Sequence, residues 1–254
     1  TLVMHTDLKD QHGQPLDFLA AEFELTTEKM GISAAVYQNG IMWTEAAGMA
    51  TDQVRPMTTT TPMRIMSGSK TFVSALVLSQ IEDGLYKLTD RASVLLANNS
   101  RYQSLDTSLI PDATVEQLLT MTSGIKDFLT SSTEAFNHMV GDTWEPADTL
   151  GLVNETPGPV GTYLYANISS HLLGVIAEHF GGSDLNSMYQ NTLLSPLSIK
   201  AALLPKIETP TNLATSYGET ADYGGTGGFG DLTQIELWAG QDFHGADGRI
   251  AWAG

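Results

Sequence analysis

The chain has 254 residues, of which 42% are hydrophobic, so it is long enough to bury a large core in one large or two small domains. Its 29 acidic residues outnumber 12 lysines and arginines, and the net charge of −17 argues against a basic face for nucleic acid or anionic membrane. Cysteine is absent, which excludes disulfide bonds, thiolate metal sites and a cysteine nucleophile.

Several functional classes lack their sequence signals. The chain has no apolar run long enough to predict a membrane span and no glycine-rich phosphate loop. Its histidines show no metal-ligand spacing, and we expect His171 and His179 on a helix surface or at the edge of the core. We therefore expect no metal and no organic cofactor. Because a cysteine-free chain is compatible with export, we predict a periplasmic or secreted protein, although the N-terminus shows no signal peptide.

The N-terminal part predicts a helix followed by a β-hairpin. Apolar residues recur at helical spacing over residues 16–30, which predicts an amphipathic helix. Two apolar runs, residues 31–37 and 41–44, are separated by Asn39-Gly40. This dipeptide is the strongest short hairpin signal, since both turn residues need a positive φ. We therefore predict two antiparallel strands within residues 31–48.

The stretch around Ser67 predicts the start of a buried helix that carries a reactive group. Apolar residues recur at helical spacing after Ser67, as far as the typical helix stop Gly84. A helix that begins at about Ser67 places Lys70 on the same face, one turn along. A lysine whose surroundings favour its neutral amine can activate a serine hydroxyl. The free N–H groups of such a helix start can also help to hold an oxyanion.

The same spacing of serine and lysine recurs in Ser123-Gly124-Ile125-Lys126. An apolar run over residues 115–121 precedes it and Gly124 follows the serine, so we expect Ser123 to lie past a helix end. No helix N-terminus is available there for activation. We interpret Ser67 and Lys70 as the chemical pair, with a capped helix and a surface lysine as the alternative.

Residues 67–197 are predicted to be mostly helical, with loops at residues 98–106, 123–134 and 154–161. The last loop leads to Tyr165 and Asn167, just before a helix over residues 168–180 that Gly181-Gly182 ends. Side chains two apart on such a loop can both point into a cleft. The alternatives are a core tyrosine and a helix N-cap asparagine. Tyr-x-Asn also occurs at Tyr37 and at Tyr189, within the predicted hairpin and within a predicted helix.

Taken in order, these motifs resemble the serine β-lactamase and penicillin-binding protein superfamily. The resemblance is to the branch of class C β-lactamases, D-alanyl-D-alanine carboxypeptidases and related esterases, and it covers residues 16 to about 238. It rests on the hairpin and on residues 67–72, 81–90, 115–124, 157–158, 165–168, 171–178, 194–197 and 227–229.

This resemblance implies an α+β, β-lactamase-like fold, with an antiparallel sheet flanked by helices and an all-helical region. We expect residues 1–66 and 201–254 in the sheet region and residues 67–200 in the helical region of one catalytic unit, with a cleft between them. It also implies acyl transfer to water. Ser67 would attack a carbonyl, Lys70 and Tyr165 would share the proton transfers, and Asn167 would bind the substrate amide or the Lys70 amine.

The C-terminal part departs from the family pattern. Members carry a third motif, Lys or His, any residue and then Gly, on a strand that lines the site. The candidate here is His244-Gly245, in which glycine comes one position early. His244 is therefore a predicted substrate-binding residue, with a loop histidine as the alternative. If the sheet ended at Gly254 it would lack strands, and we expect a truncated sequence, a shortened variant, or a second chain or oligomer that completes it.

We predict a serine hydrolase that cleaves ester or amide bonds, of the β-lactam or D-alanyl peptide type, in a small-molecule or peptide substrate. The acidic chain modestly favours a neutral ester, because a substrate carboxylate would be repelled at long range. The alternative is a penicillin-binding sensor or non-hydrolytic binding homologue, which the incomplete third motif favours. A metal-dependent hydrolase would need His and carboxylate clusters that the sequence does not show.

Overall fold

The computed structural model describes residues 31–51, 55–63, 65–103, 106–127, 150–151, 153–199, 214, 217–219 and 229–231. These residues form two compact units, one from the part before residue 64 with residues 214–231, the other from residues 65–199. The predicted helix over residues 16–30 and the predicted substrate-binding residue His244 lie outside the described residues.

The first unit is built from short antiparallel strand pairs. Its strands are β1 (Ile32–Gln38), β2 (Ile41–Ala47), β3 (Met49–Thr51), β4 (Arg55–Pro56), β5 (Tyr217–Glu219) and β6 (Phe229–Asp231). They pair as β1 with β2, β3 with β4, and β5 with β6. Buried Ala50, Met57 and Ala214 form a small apolar cluster there, and the Ala214 N–H donates to the Pro62 carbonyl at 2.9 Å.

The hairpin of β1 and β2 confirms the prediction from Asn39-Gly40. Gln38 lies opposite Ile41 next to the turn, and Ile32 lies opposite Ala47 at the far end. Asn39 has φ +52° and Gly40 has φ +80°, as the two-residue turn requires. A two-residue signal therefore sets the register of the whole strand pair.

The second unit is helical. A 3₁₀ turn (Met66–Ser69) leads into α1 (Lys70–Glu82), and α2 (Ala92–Leu95), α3 (Ser100–Gln103) and α4 (Val115–Leu119) follow. After the loops come α5 (Asn167–Gly181), α6 (Leu185–Tyr189) and a π-helical turn (Gln190–Leu194). The predicted helix ends are confirmed, since Gly84 beyond α1 has φ +79° and Gly182 beyond α5 has φ +63°.

The structure corrects two predicted boundaries in this unit. The α-helix expected to begin at about Ser67 begins at Lys70, because the preceding turn is 3₁₀. The predicted loop over residues 98–106 contains the one-turn helix α3. Asn99 stabilises its start, since the Asn99 side-chain oxygen accepts from the Tyr102 N–H at 3.3 Å and its carbonyl from the Gln103 N–H at 3.1 Å.

Helices α1 and α5 pack side by side and run in the same direction. Val73, Leu76 and Val77 of α1 are buried, and so is the run from Ile168 to Ala177 in α5. Towards the C-terminal ends, the Gln80 amide donates to the Ala177 carbonyl at 3.0 Å and accepts from the Tyr86 hydroxyl at 2.7 Å. This buried amide is satisfied, so it fixes how α1 and α5 align along their length.

Candidate active site

Three polar groups converge at the N-terminal end of α1. Ser67 lies in the exposed 3₁₀ turn, and its Oγ is 2.7 Å from the Tyr165 hydroxyl. The Ser67 Oγ also accepts a hydrogen bond from the Lys70 Nζ at 3.0 Å. The structure therefore brings together the serine, lysine and tyrosine singled out in the sequence, although the tyrosine is 98 positions from the serine.

Lys70 is held from two sides. It is the first residue of α1 and lies one turn along from Ser67, as the spacing predicted. Its Nζ lies 5.1 Å from the centre of the Tyr165 ring, within reach of a cation–π contact, besides donating to Ser67. The amine therefore donates to the Ser67 hydroxyl and lies beside the Tyr165 ring.

The loop that carries Tyr165 is bonded along the backbone to the segment after α4. Gly124 on that segment has φ +80°, and a Cβ there would lie 2.5 Å from the Gly158 carbonyl oxygen. Glycine is required because a side chain would strain the backbone and hold the two segments apart. The hydrogen bonds run from the Gly158 N–H to the Gly124 carbonyl, from Gly161 to Thr122 and from Leu164 to Met121, each at 2.8 Å.

Asn167 lies at the start of α5, where it is buried and hydrogen-bonded on both sides. Its Oδ1 accepts from the Tyr165 hydroxyl at 3.4 Å, and its Nδ2 donates to Asp127 Oδ2 at 2.8 Å. The N-cap alternative for Asn167 is wrong, since Ala166 is the N-cap residue and lacks a capping side chain. The Asp127 carboxylate takes that role from a distant loop, accepting from the Asn167 N–H at 3.2 Å.

Sequence reasoning missed Asp127. An acidic side chain near a helix N-terminus is a recognised stabilising feature, but here the helix begins 40 positions further along the chain. Sequence patterns for helix capping involve residues within about one turn of the helix. They give no signal for a carboxylate that reaches the helix from a distant loop.

The structure also corrects the predicted position of His171. The sequence placed it on a helix surface or at the edge of the core, whereas it is completely buried on α5, one turn after Asn167. The helix is buried on all sides over this stretch, so no surface position is available. Burial, together with the nearby Lys70 charge, lowers the pKa of His171 to about 3, and the ring adds no charge beside Lys70 at neutral pH. His179 is exposed, as expected.

The second serine–lysine pattern has a different environment. Ser123 lies beyond the end of α4, as predicted, and is buried. Its Oγ is 3.2 Å from the Ser169 Oγ and accepts from the Ile125 N–H at 3.3 Å. Its hydroxyl is therefore part of the packing that joins the loop to α5.

The residues that the structure describes include no group of three or more His, Asp or Glu side chains placed to hold a metal ion. None of the helices in the part of the chain that the structure describes is long and apolar enough to cross a membrane.

Three solved structures illustrate what this fold resembles. The D-amino acid amidase from Ochrobactrum anthropi SV3, complexed with L-phenylalanine, has a TM-score of 0.70 at 20% identity, covering 91% of this chain and 62% of its own. A hydrolase with promiscuous acyltransferase activity has 0.68 at 19%, covering 93% and 69%. A penicillin-binding protein from Bacillus halodurans has 0.67 at 18%, covering 91% and 68%.

These likenesses show a common β-lactamase-like fold of helices and small antiparallel sheets, and this chain spans 62% of the amidase's length. The family model described as Beta-lactamase matches residues 19–248, most of the chain. The predicted resemblance to the serine β-lactamase and penicillin-binding protein superfamily is therefore confirmed, and the chain belongs to the beta-lactamase family.

Proposed function

We propose that this protein is a serine hydrolase that cleaves ester or amide bonds through an acyl-serine intermediate. The observation that carries the proposal is the position of the Ser67 Oγ, within hydrogen-bond distance of both the Lys70 Nζ and the Tyr165 hydroxyl. A serine needs such a neighbour to take its proton, and an exposed serine at a helix start is open to a substrate.

In the proposed reaction the Ser67 Oγ attacks the substrate carbonyl while its proton passes to the Lys70 and Tyr165 pair. The same pair returns a proton to the departing alcohol or amine as the carbonyl-to-leaving-group bond breaks. A water molecule then attacks the acyl-serine and gives its proton to the pair, which passes a proton to the Ser67 Oγ as the acid is released. The two proton-carrying groups are assigned jointly, because both contact the Ser67 hydroxyl.

The substrate proposed is a neutral ester or amide with an apolar acyl part. The net charge of −17 repels carboxylate-bearing substrates at long range, although salt screens this effect beyond about 8 Å. Large apolar side chains near the candidate residues in sequence are also exposed, Tyr163 by 68% and Ile65 by 54%. We propose that these side chains contact the acyl part of the substrate. The names of the similar structures, an amidase and a hydrolase, support the same reaction class.

The finer architecture belongs to the same proposal. We place the paired strands in one antiparallel sheet flanked by helices, with residues 1–66 and 201–254 in the sheet region and residues 67–200 in the helical region. Periplasmic or secreted location, a substrate-binding role for His244, and completion of the sheet by a second chain stay predictions. An experimental structure of the protein, with its oligomeric state measured by light scattering, would check the sheet and the second chain.

Intact mass spectrometry tests the function. The parent and Ser67→Ala would each be incubated with p-nitrophenyl butyrate, D-phenylalanine amide or benzylpenicillin, and adduct and product followed over time. We expect an adduct on the parent alone, decaying as product appears. Ser123→Ala is the matched control, because it removes a serine from the same Ser-Gly-x-Lys pattern, and it should still form the adduct.

Three results would contradict the proposal. An adduct on Ser67→Ala would place the nucleophile elsewhere. A stable adduct on the parent with all three compounds would identify a non-hydrolytic sensor. No adduct and no product from folded parent protein would show that Ser67 is not a working nucleophile towards esters, amides or lactams.

A further inference from the structure

The buried carboxylate of Asp127 has no part in the reaction as proposed, although it lies two hydrogen bonds away from Tyr165. Asp127 and Asn167 are 8% and 7% exposed, so neither side chain is positioned by solvent. Asp127 Oδ2 accepts from both the backbone N–H and the Nδ2 of Asn167, at 3.2 and 2.8 Å. The carboxylate therefore fixes one end of the Asn167 side chain.

This contact decides which way the Asn167 amide faces. An asparagine side chain has a donor end and an acceptor end, and its orientation follows from its partners. Because Asp127 Oδ2 accepts from the amide nitrogen, the amide oxygen must face the other way, towards Tyr165. The Tyr165 hydroxyl then has an acceptor, 3.4 Å away, for its own proton.

The same reasoning determines which group donates in the hydrogen bond between Tyr165 and Ser67. When Tyr165 donates to Asn167, the lone pairs of its oxygen face the Ser67 hydroxyl, 2.7 Å away. Ser67 can then donate to Tyr165 while accepting from an N–H of the Lys70 amine at 3.0 Å. The chain of hydrogen bonds thus runs in one direction from Lys70 to Asp127.

We propose that Asp127 is a positioning residue, which orients the Asn167 amide and through it holds the Tyr165 hydroxyl in place beside the Ser67 Oγ. The inference rests on the proposed function, because it assumes that Ser67 is the nucleophile. Asp127 is buried beneath Asn167, and we expect it to affect the rate of acylation and not substrate affinity.

The test measures the acylation rate constant and the substrate dissociation constant for p-nitrophenyl butyrate from burst-phase kinetics, alongside thermal unfolding. We expect Asp127→Ala to slow acylation by about 10- to 100-fold, since a small misplacement of reacting groups has effects of this size. The substrate dissociation constant should change by less than about twofold, because the acylation step alone is affected. Asp127→Asn, which keeps an acceptor oxygen, should recover acylation to within about threefold of the parent and fold normally, since asparagine also stabilises helix N-termini.

Asp184 provides the matched control for helix capping. It is the N-cap of α6 and accepts from the Ser187 N–H at 2.9 Å and the Ser187 hydroxyl at 2.6 Å. Asp184→Ala should lower the unfolding temperature but leave acylation at the parent rate. If it slowed acylation as much as Asp127→Ala, the effect of Asp127 would be general destabilisation, and the proposal would be overturned.

A double-mutant cycle with Asn167→Ala separates positioning from other roles. If Asp127 acts through the Asn167 amide, adding Asp127→Ala to Asn167→Ala should slow acylation by less than about twofold further. Fully additive effects, or an unchanged rate in Asp127→Ala alone, would overturn the inference while leaving the proposed function standing. An acyl adduct on Ser67→Ala would instead remove the proposed function itself.

Discussion

The pattern Ser-Gly-x-Lys occurs twice in this chain, at Ser67–Lys70 and at Ser123–Lys126, and the two copies have different environments. The first forms a 3₁₀ turn and the start of α1, where Ser67 is exposed and bonded to Lys70 and Tyr165. The second follows the end of α4, where Ser123 is buried against Ser169 and the backbone of its own loop.

The difference shows that position relative to a helix decides what this tetrapeptide does. At a helix start, the turn brings the lysine amine back over the serine, and the serine faces outward. After a helix end, the glycine takes a positive φ and folds the chain into a packed loop. The second copy also supports the first. Its segment is hydrogen-bonded to the loop that carries Tyr165, and this loop places Tyr165 next to Ser67.

The largest expected effect is on the acylation rate, and it should differ between the two lysines of the repeated pattern. Lys70→Met should slow acylation of an ester by about 10³-fold, because it removes a proposed proton carrier 3.0 Å from the Ser67 Oγ. Lys126→Met should leave the rate within about twofold of the parent. Both rates would be measured by release of p-nitrophenol at saturating and limiting substrate. Equal losses in the two variants would remove the distinction between the copies.

The two glycines of the pattern should differ in stability. Gly124→Ala should lower the free energy of unfolding by about 3 kcal/mol, from an unfavourable φ and a clash with the Gly158 carbonyl. Gly68→Ala, whose Cβ would meet the Ile65 Cβ at 3.4 Å, should change it by less than about 0.5 kcal/mol. Urea unfolding of both variants would measure this, and a tolerated Gly124→Ala would contradict the close approach of the two loops.

The buried His171, which lies near the Lys70 charge, should make the stability of the protein depend on pH. Burial lowers the pKa of His171 to about 3, whereas in the unfolded chain it is near 6.5, so the folded state favours the neutral ring. The stability that this preference contributes is complete above about pH 6.5 and is lost as the pH falls towards 3. The free energy of unfolding should be lower by about 2 kcal/mol at pH 5. Urea unfolding of the parent between pH 7 and 5 would measure it.

Two variants sharpen that measurement. His171→Leu should lose less stability than the parent over this pH interval, because the titrating ring is gone. His179→Gln, which changes an exposed histidine near the end of the same helix, should follow the parent. Parallel curves for the parent and His171→Leu would show that His171 titrates normally in the folded protein.

The smallest expected effect concerns the second serine. Ser123→Ala should lower the free energy of unfolding by about 1 kcal/mol, because the Ile125 N–H and the Ser169 hydroxyl lose a buried partner. Thermal and urea unfolding would measure the loss. An effect below about 0.3 kcal/mol would mean that the Ser123 hydroxyl does not help to join its loop to α5.

Signals that act within a few residues were enough to predict several parts of the molecule. The Asn39-Gly40 turn, the helix stops at Gly84 and Gly182, and the spacing of Ser67 and Lys70 all depend on backbone geometry within about one turn. The order of motifs along the chain also predicted the family. Neither kind of signal reports which distant segments meet.

Tertiary packing decided the rest of the candidate site. Tyr165 reaches Ser67 across 98 positions because α1 and α5 run side by side and the loop before α5 is bonded to the segment around Gly124. Asp127 caps a helix from another loop, and His171 is buried because α5 is enclosed on every side over that stretch. The sequence by itself determined which side chains are available and where helices and turns end, because those preferences are local. Which side chains touch, and which are removed from water, only the tertiary structure decided, since both depend on how separate elements pack.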